Sequence, residues 1–259
     1  MQVYEFNRAL VRTPSPSVVE GLRAVDVGRP DFHGVMREHA AYVCALEDAG
    51  VSVEVLPALG AFPDSVFVED TALVFGHAAI VLRPGAPARF DEAREIAAAL
   101  ERRFDRLLHL MDGFVDGGDV LTTPRRVFVG RSARTTPQGA GALVSLLDKI
   151  GLQGQAVTTP RDVLHFKSDC SLLDEDTILS TARLAASGVF EGFRIIAVPE
   201  GEEGAANAVR VNDRALIGDA YPLTRDVLAR SGYKVVPLPT REISKIDAGL
   251  SCMSLRWHS

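Results

Sequence analysis

Apolar positions along this chain switch repeatedly between a helical and a strand period. Met36, Ala40, Val43 and Leu46 follow one another at steps of four, three and three, which predicts one helical face over 34–49, and Gly50 supplies a left-handed stop. Val51 to Val55 then alternates strictly, as a strand does. Ahead of this pair, Tyr4 to Val11 reads as a strand and the Pro/Ser stretch Thr13 to Ser17 as a loop. A second helix is predicted from Asp91 to Phe104, with Ala93, Ile96, Ala97, Leu100 and Phe104 on one side. The order helix, glycine, strand, proline recurs: Gly50 leads to Pro57, Gly192 to Pro199 and Gly232 to Pro239, each seven residues apart, and Gly151 to Pro160 at nine.

Beyond these units, a loop leads into another apolar strand five times, at Asp70–Val74, Gly118–Leu121, Asp169–Leu173, Ala206–Val209 and Ser251–Leu255. Recurrence at about 40 to 50 residues is the spacing of propellers and solenoids. The intervening helices exclude a plain β-propeller, so each unit mixes α and β. The fifth unit lacks a helix and proline of its own unless the N-terminal strand and first helix complete it. The expectation is therefore a single α/β domain over residues 1–259, a five-bladed ring closed by its two termini meeting in one unit. Closure removes exposed sheet edges. It also aims the starts of five inner strands at one mouth, where Asp70, Asp116, His165 and Cys252 converge.

Charge narrows the partners. The 259 residues carry a net charge of −6 with 47% hydrophobic residues, and no Lys/Arg block is present, which argues against nucleic acid and for a small cationic ligand. Three cysteines, Cys44, Cys170 and Cys252, with no CxxC spacing indicate neither a disulfide framework nor a zinc site. No signal-peptide pattern and no apolar run near the 18 to 20 residues of a bilayer span is seen, so no membrane partner and a cytoplasmic location are expected. A homodimer is compatible with all of this.

Cys252, just after Asp247, Ala248 and Gly249, is placed as a nucleophile at the head of the last strand. The bland alternative is a small buried hydrophobe. Asp64 to Asp70 sets three carboxylates in an alternating stretch, with Asp64, Val66 and Val68 on one face and Phe67 and Glu69 on the other, or else simply caps a loop. The paired glycines of Asp116-Gly117-Gly118-Asp119 allow close backbone approach, or a tight turn. His165 is either structural or the proton shuttle that a thiol needs. Extra acids around a thiol raise its pKa and make sense only opposite a cation. A guanidinium fits, since its planar donors match carboxylates bidentately.

The segments FPDSVFVEDTALV (62–74), RPGAPAR (83–89), DGGDVL (116–121), VGRSARTTPQG (129–139), LHFKS (164–168) and GLSCMSLRW (249–257) together resemble the dimethylarginine dimethylaminohydrolase family of guanidino-group-modifying enzymes. The resemblance spans nearly the whole chain and implies the pentein fold, a five-bladed α/β propeller with pseudo-five-fold symmetry. It further implies that Cys252 attacks the guanidinium carbon of a methylated arginine, that His165 is acid and then base, and that Asp70 and Asp116 bind the guanidinium, Asp116 also supporting His165. Arg89 and Arg134 are implied to grip the substrate carboxylate and Asp64 its α-amino group. Leu22, Glu69, Phe67 and the backbone at Ile246 match further binding positions. No metal or cofactor is implied. Arginine deiminases share the Cys-Met-Ser ending but carry an inserted helical domain, and amidinotransferases match less around PGAPAR. A non-catalytic binding protein on the same propeller, and a redox sensor with Cys170 resolving Cys252, are the readings from other classes; Cys44 is assigned to packing.

Overall fold

The computed structural model describes residues 2–160 and 163–259. Gly50 and Gly232 stand at φ +88° and +90°, the left-handed region that only glycine enters freely, and each ends a helix and turns the chain into a strand. The first such unit runs from β1 (Arg8–Arg12) through α1 (Phe32–Asp48) to β2 (Ser52–Leu56). The second comprises β3 (Ala72–Phe75), β4 (Ala78–Val81), α2 (Glu92–Leu100) and β5 (Leu107–His109). β6 (Val120–Thr122), β7 (Val127–Arg131), α3 (Pro137–Lys149) and β8 (Gly154–Thr158) make the third. The fourth is β9 (Cys170–Leu172), β10 (Thr177–Ser180), α4 (Ala182–Ala185) and β11 (Arg194–Ala197). The fifth is β12 (Val209–Val211), β13 (Arg214–Gly218), α5 (Pro222–Arg230) and β14 (Lys234–Leu238), and β15 (Ser254–Trp257) follows.

Every unit has the same pairing: an inner strand antiparallel to a middle strand, which is parallel to an outer strand reached through the helix. β15 supplies the inner strand that the first unit lacks, pairing Leu255 with Leu10 of β1, so the termini do meet in one sheet, of order β15-β1-β2. The terminal unit, completed by β1 and α1 as expected, takes Gly50 and Pro57, and the unit without glycine and proline punctuation is the one ending in β5.

Alternation along the strands explains how the ring holds together. Ala9 and Val11 of β1 enter a core shared with Val209, Val211 and Leu216 of the fifth unit, while Leu10 enters a core shared with Val81 and Ile96 of the second. Likewise Ile178 faces Phe128 and Leu121 of the third unit, and its neighbour Leu179 faces Ile217 and Leu228 of the fifth. The middle strands are buried on both faces, between two blades, which is why their segments read as nearly continuous apolar runs. Outer strands such as β2 and β8 keep exposed positions. Five interblade cores close the circle, and no blade has a free face. Asn212, in the left-handed conformation (φ 53°) at the β12–β13 hairpin, adds a polar tie across the closure by accepting from the Phe6 N–H and donating to the carbonyls of Phe6 and Ala49.

The face of α1 differs from expectation. Val35, Glu38, His39, Tyr42, Ala45 and Leu46 are the buried positions, and Ala40 is exposed. Polar residues mislead the period here: the buried Glu38 carboxylate accepts the N–H groups of Glu242 and Ile243, and Tyr42 O–H pairs with Ser254 Oγ at 2.6 Å. Cys44 lies on the exposed side and does not serve packing. Strand β1 begins at Arg8 rather than Tyr4, and the Pro/Ser loop ends in a short 3-10 turn, Pro16–Glu20. Among the described residues no helix is long and apolar enough to cross a membrane.

Candidate active site

Each inner strand is entered through a single 3-10 turn, at Val68–Thr71, Gly117–Asp119, Phe166–Ser168, Glu203–Ala206 and Leu250–Met253. Cys252 therefore sits in a turn two residues ahead of β15, rather than at the head of the strand. His165 likewise caps the turn before β9 instead of lying in an alternating run. Nor does 64–70 alternate: Asp64, Ser65, Val66, Phe67, Val68, Glu69 and Asp70 are all buried, because these tight turns send Asp64 and Asp70 to the pocket and Val66 and Val68 into the cores on either side.

The turns are bolted to one another by side chains from neighbouring blades. Gly118 N–H donates to Asp70 Oδ1 at 3.0 Å, and Gly85 N–H to Asp116 Oδ1 at 2.6 Å. Asp116 Oδ2 meets His165 Nε2 at 2.9 Å, while Asp119 Oδ1 accepts the Phe166 N–H at 2.8 Å and so fixes the histidine's own turn. Both glycines of the DGGD turn are places of close approach: a Cβ on Gly117 would stand 1.9 Å from the Glu69 carbonyl oxygen, and one on Gly118 would stand 2.9 Å from the His165 ring. Glu69 receives Lys167 Nζ at 2.5 Å and Ser251 Oγ at 2.8 Å, which ties the second blade to the fourth and first beneath the Cys252 turn.

Leu22, Asp64, Phe67, Asp70, Arg89, Arg134, His165, Ile246 and Cys252 line one pocket, together with Leu164, Asp247 and Ala248. Asp116 and Glu69 stand behind it, holding His165 and Lys167. The space inside is about 30 Å³. Two walls are loops: Asp64 Oδ1 accepts the Leu22 N–H at 2.9 Å, and the Asp247 carboxylate, on a residue at φ 54°, accepts the Ala24 N–H.

Arg89 is deeply buried, 4% exposed, and its guanidinium is held by Asp70 Oδ2 at 2.6 Å, by both oxygens of Glu92 and by the Asp64 and Phe67 carbonyls. Those bonds leave one Nη1 hydrogen for the pocket. Arg134, with its side chain 23% exposed and only a 3.7 Å approach to Asp116, has most of its fork available.

Electrostatics pull the two reactive groups apart. Burial, then Glu69 and Asp70, push the Cys252 thiol up to about 12. For His165 burial acts downward, but the charges of Asp70, Asp119 and Asp116 and the hydrogen bond to Asp116 outweigh it and raise the imidazole to about 9. Burial would raise Asp70 too, yet His165, Arg89 and the Gly118 N–H hold it below the usual carboxylate range. With nothing bound at neutral pH the site is thus a thiol, an imidazolium and ionised Asp70. One ligand atom each from Asp70, Asp116 and His165 lie within 4.8 Å of one another, a spacing suited to a cation, though the same carboxylates are already engaged by Arg89, Gly118, Gly85 and the imidazole.

Asn207 escaped the sequence reading. It stands two residues before its inner strand, the register that Asp70 and Cys252 occupy in theirs, and that register was the signal that could have found it. Its Oδ1 accepts the Ser251 N–H at 3.0 Å, and its Nδ2 donates to the Lys167 carbonyl at 2.9 Å and to Ser251 Oγ at 3.1 Å, so it joins the cysteine turn to the histidine turn. Cys170 is buried, with Sγ donating to the Phe166 carbonyl and its thiol raised well above the ordinary range by burial, then Asp169.

No protein-family model matches the chain. The N(G),N(G)-dimethylarginine dimethylaminohydrolase of Pseudomonas aeruginosa is 38% identical over 254 residues, covering 97% of this chain and 100% of that protein. The protein of the same name from Streptomyces coelicolor is 34% identical over 253 residues, covering 96% of each. Among solved structures, the Pseudomonas aeruginosa enzyme as a cysteine-to-serine mutant complexed with citrulline superposes with a TM-score of 0.94 at 37% identity, over 98% of this chain and 100% of that one. A histidine-to-glycine form of dimethylarginine dimethylaminohydrolase, in an adduct with S-methyl-L-thiocitrulline, also reaches 0.94 at 38% identity, over 97% and 99%. Sharing more than a third of its residues with a relative along that protein's entire length, on the same five-bladed scaffold, the chain belongs to the dimethylarginine dimethylaminohydrolase family.

Proposed function

We propose that this chain hydrolyses Nω-methylated arginines, asymmetric dimethylarginine and monomethylarginine, to citrulline and dimethylamine or methylamine. The observation that carries the reading is a pocket in which one thiol and one imidazole face buried acids, Asp70 and Asp64 in the wall with Glu69 and Asp116 behind. These acids are partly paired by Arg89, Lys167 and His165, and together they favour a further cation in the pocket. The relatives support it in kind, one solved with citrulline and one as a thiocitrulline adduct.

Asp70, in the wall, holds the guanidinium with its carbon toward Cys252, and Asp116 behind it supports His165. Burial, then repulsion from Glu69 and Asp70, keeps the thiol protonated. The incoming cation offsets that repulsion, so the thiol gives up its proton to solvent as the substrate enters and the thiolate forms with substrate in place. Thiolate attack makes the C–S bond. The C–N bond to the methylated amine then breaks as His165 gives that nitrogen its proton, and a thiouronium remains on Cys252. Neutral His165 next takes a proton from water, whose oxygen attacks the same carbon. The C–S bond then breaks, the hydroxyl passes its remaining proton to the departing sulfur as it becomes the ureido carbonyl, and citrulline is released with Cys252 back as a thiol. Arg134, with the remaining Nη1 hydrogen of Arg89, grips the substrate carboxylate, and Asp64 meets its α-amino group. Leu22, Phe67 and the Ile246 backbone close over the stem. All these groups come from one chain, so the whole of 1–259 acts as one catalytic propeller and the chemistry does not require a homodimer. We place it in the cytoplasm, where three unpaired thiols persist.

The test is citrulline and amine release from asymmetric dimethylarginine, monomethylarginine and arginine in parallel, with Cys252→Ser as the blank. Amine release from the methylated substrates, with little turnover of arginine and none in the variant, is expected. Turnover of arginine alone would make the enzyme a deiminase, and citrulline formation by Cys252→Ser would remove the thiol from the chemistry.

A further inference from the structure

The DGGD turn carries two carboxylates, and the chemistry above uses only the first. Asp119 is fully buried and lies outside the lining of the pocket, so it does not meet the substrate itself. Three donors nevertheless converge on it from two different elements. Its Oδ1 accepts the Phe166 N–H at 2.8 Å, in the turn that His165 caps. Its Oδ2 accepts the hydroxyls of Ser132 and Thr135, both at 2.6 Å, which stand on either side of Arg134. Ser132 Oγ in turn accepts the N–H groups of Arg134 at 3.0 Å and Thr135 at 3.2 Å, and Thr135 Oγ1 accepts the Asp116 N–H at 3.3 Å. The loop that presents Arg134 and the turn that presents His165 thus hang from one carboxylate.

Asp116, at the other end of the same turn, joins the same two residues by their side-chain tips. Its Oδ2 stands 2.9 Å from His165 Nε2 and 3.7 Å from Arg134 Nη1. Arg134 and His165 are therefore tied twice, at their tips through Asp116 and at their backbones through Asp119. One tie leaves a pivot, whereas two fix a distance. The residue type matters, because only a carboxylate offers two oxygens that both accept. An asparagine in its place would turn N–H groups toward Ser132 Oγ, which already accepts twice.

We propose that Asp119 is a positioning residue that holds the Arg134 loop and the His165 turn at a fixed separation, and so sets the length of stem a substrate has between its carboxylate and its guanidinium carbon. This rests on the catalytic reading above, in which Arg134 grips the carboxylate and His165 protonates the leaving amine. The test compares kcat/KM for Nω-monomethylarginine with that for its homologue one methylene longer. In wild type the extra methylene shifts the reacting carbon by roughly 1 Å, a misplacement that costs about 100-fold. Asp119→Ala should slow turnover of monomethylarginine and narrow that ratio by about 10-fold, because grip and acid can now adjust to the longer stem. Thr135→Val keeps the shape, cuts one of the Oδ2 bonds and should narrow the ratio in part, while Thr135→Ser, which keeps the hydroxyl, should preserve it. An unchanged ratio in Asp119→Ala, or in Thr135→Val should the alanine variant fail to fold, overturns the proposal and leaves Asp119 a support of the fold. Wild-type enzyme that turns over neither substrate would instead fail the catalytic reading and this proposal with it.

Discussion

Cys252 and His165 sit in one pocket that acts on them differently: burial, then Glu69 and Asp70, keeps the sulfur protonated, while Asp70, Asp119 and Asp116 outweigh burial and keep the imidazole charged, the state it needs to act first as an acid. With the thiol near 12, alkylation of the free enzyme by iodoacetamide should be slow at pH 7 and should climb without a plateau to pH 10, unlike an ordinary cysteine, which levels off above about 8.5. A plateau below pH 8 would show that the thiol is already activated without substrate. For His165 the folded value near 9 lies above the ordinary 6.5, so protonation favours the folded state. That contribution is complete below pH 6.5, falls as pH rises, and is gone above about 9; it amounts to on the order of 3 kcal/mol for a shift of this size. Urea midpoints between pH 6 and 9.5 should therefore decline more steeply in wild type than in His165→Gln, and parallel slopes would contradict the shift. Both residues could be nominated from the sequence, since their chemistry is intrinsic to their type. Their pKa values could not, because they come from acids on other blades.

Among the elements, the 3-10 turns decide the site. A strand would send alternate side chains away from the axis, whereas a turn of three or four residues delivers consecutive ones to it. Asp70, Asn207 and Cys252 share one register in three different turns, and Asn207 is the fifth blade's contribution, spanning Ser251 and Lys167. Asn207→Ala should lower kcat by about 10- to 100-fold with KM nearly unchanged, because the nucleophile and histidine turns lose their common fixture while the carboxylate grip stays. An equal rise in KM without loss of kcat would mean that Asn207 serves binding instead. Periodicity located the turns' neighbours but not the turns: runs such as VFVED alternate in composition, and only packing inside the ring reveals that both parities are buried. The helix α1 shows the reverse error, since its buried face includes Glu38 and His39, which a search for apolar residues passes over.

At the scale of the whole molecule, stability comes from five cores lying between blades rather than within them, so no blade is complete alone. β1 is the middle strand of its sheet and contributes Ala9 and Val11 to one core and Leu10 to the next. Removing residues 1–12 should open the ring, abolish cooperative thermal unfolding and remove activity. A truncated chain that still melts in a single sharp transition would show that closure is dispensable. The five-fold recurrence, the glycine stops, the closure by the termini and the reactive residues were all written in the sequence, because each is a local property of residue type and spacing. What tertiary structure alone decided was how those residues are paired: Arg89 held between Asp70 and Glu92, Glu69 under the cysteine turn, and Asn207 across two blades. Such pairings join positions as far apart as Glu69 and Ser251, and chain-local patterns carry no information about a partner that only ring closure brings within 3 Å.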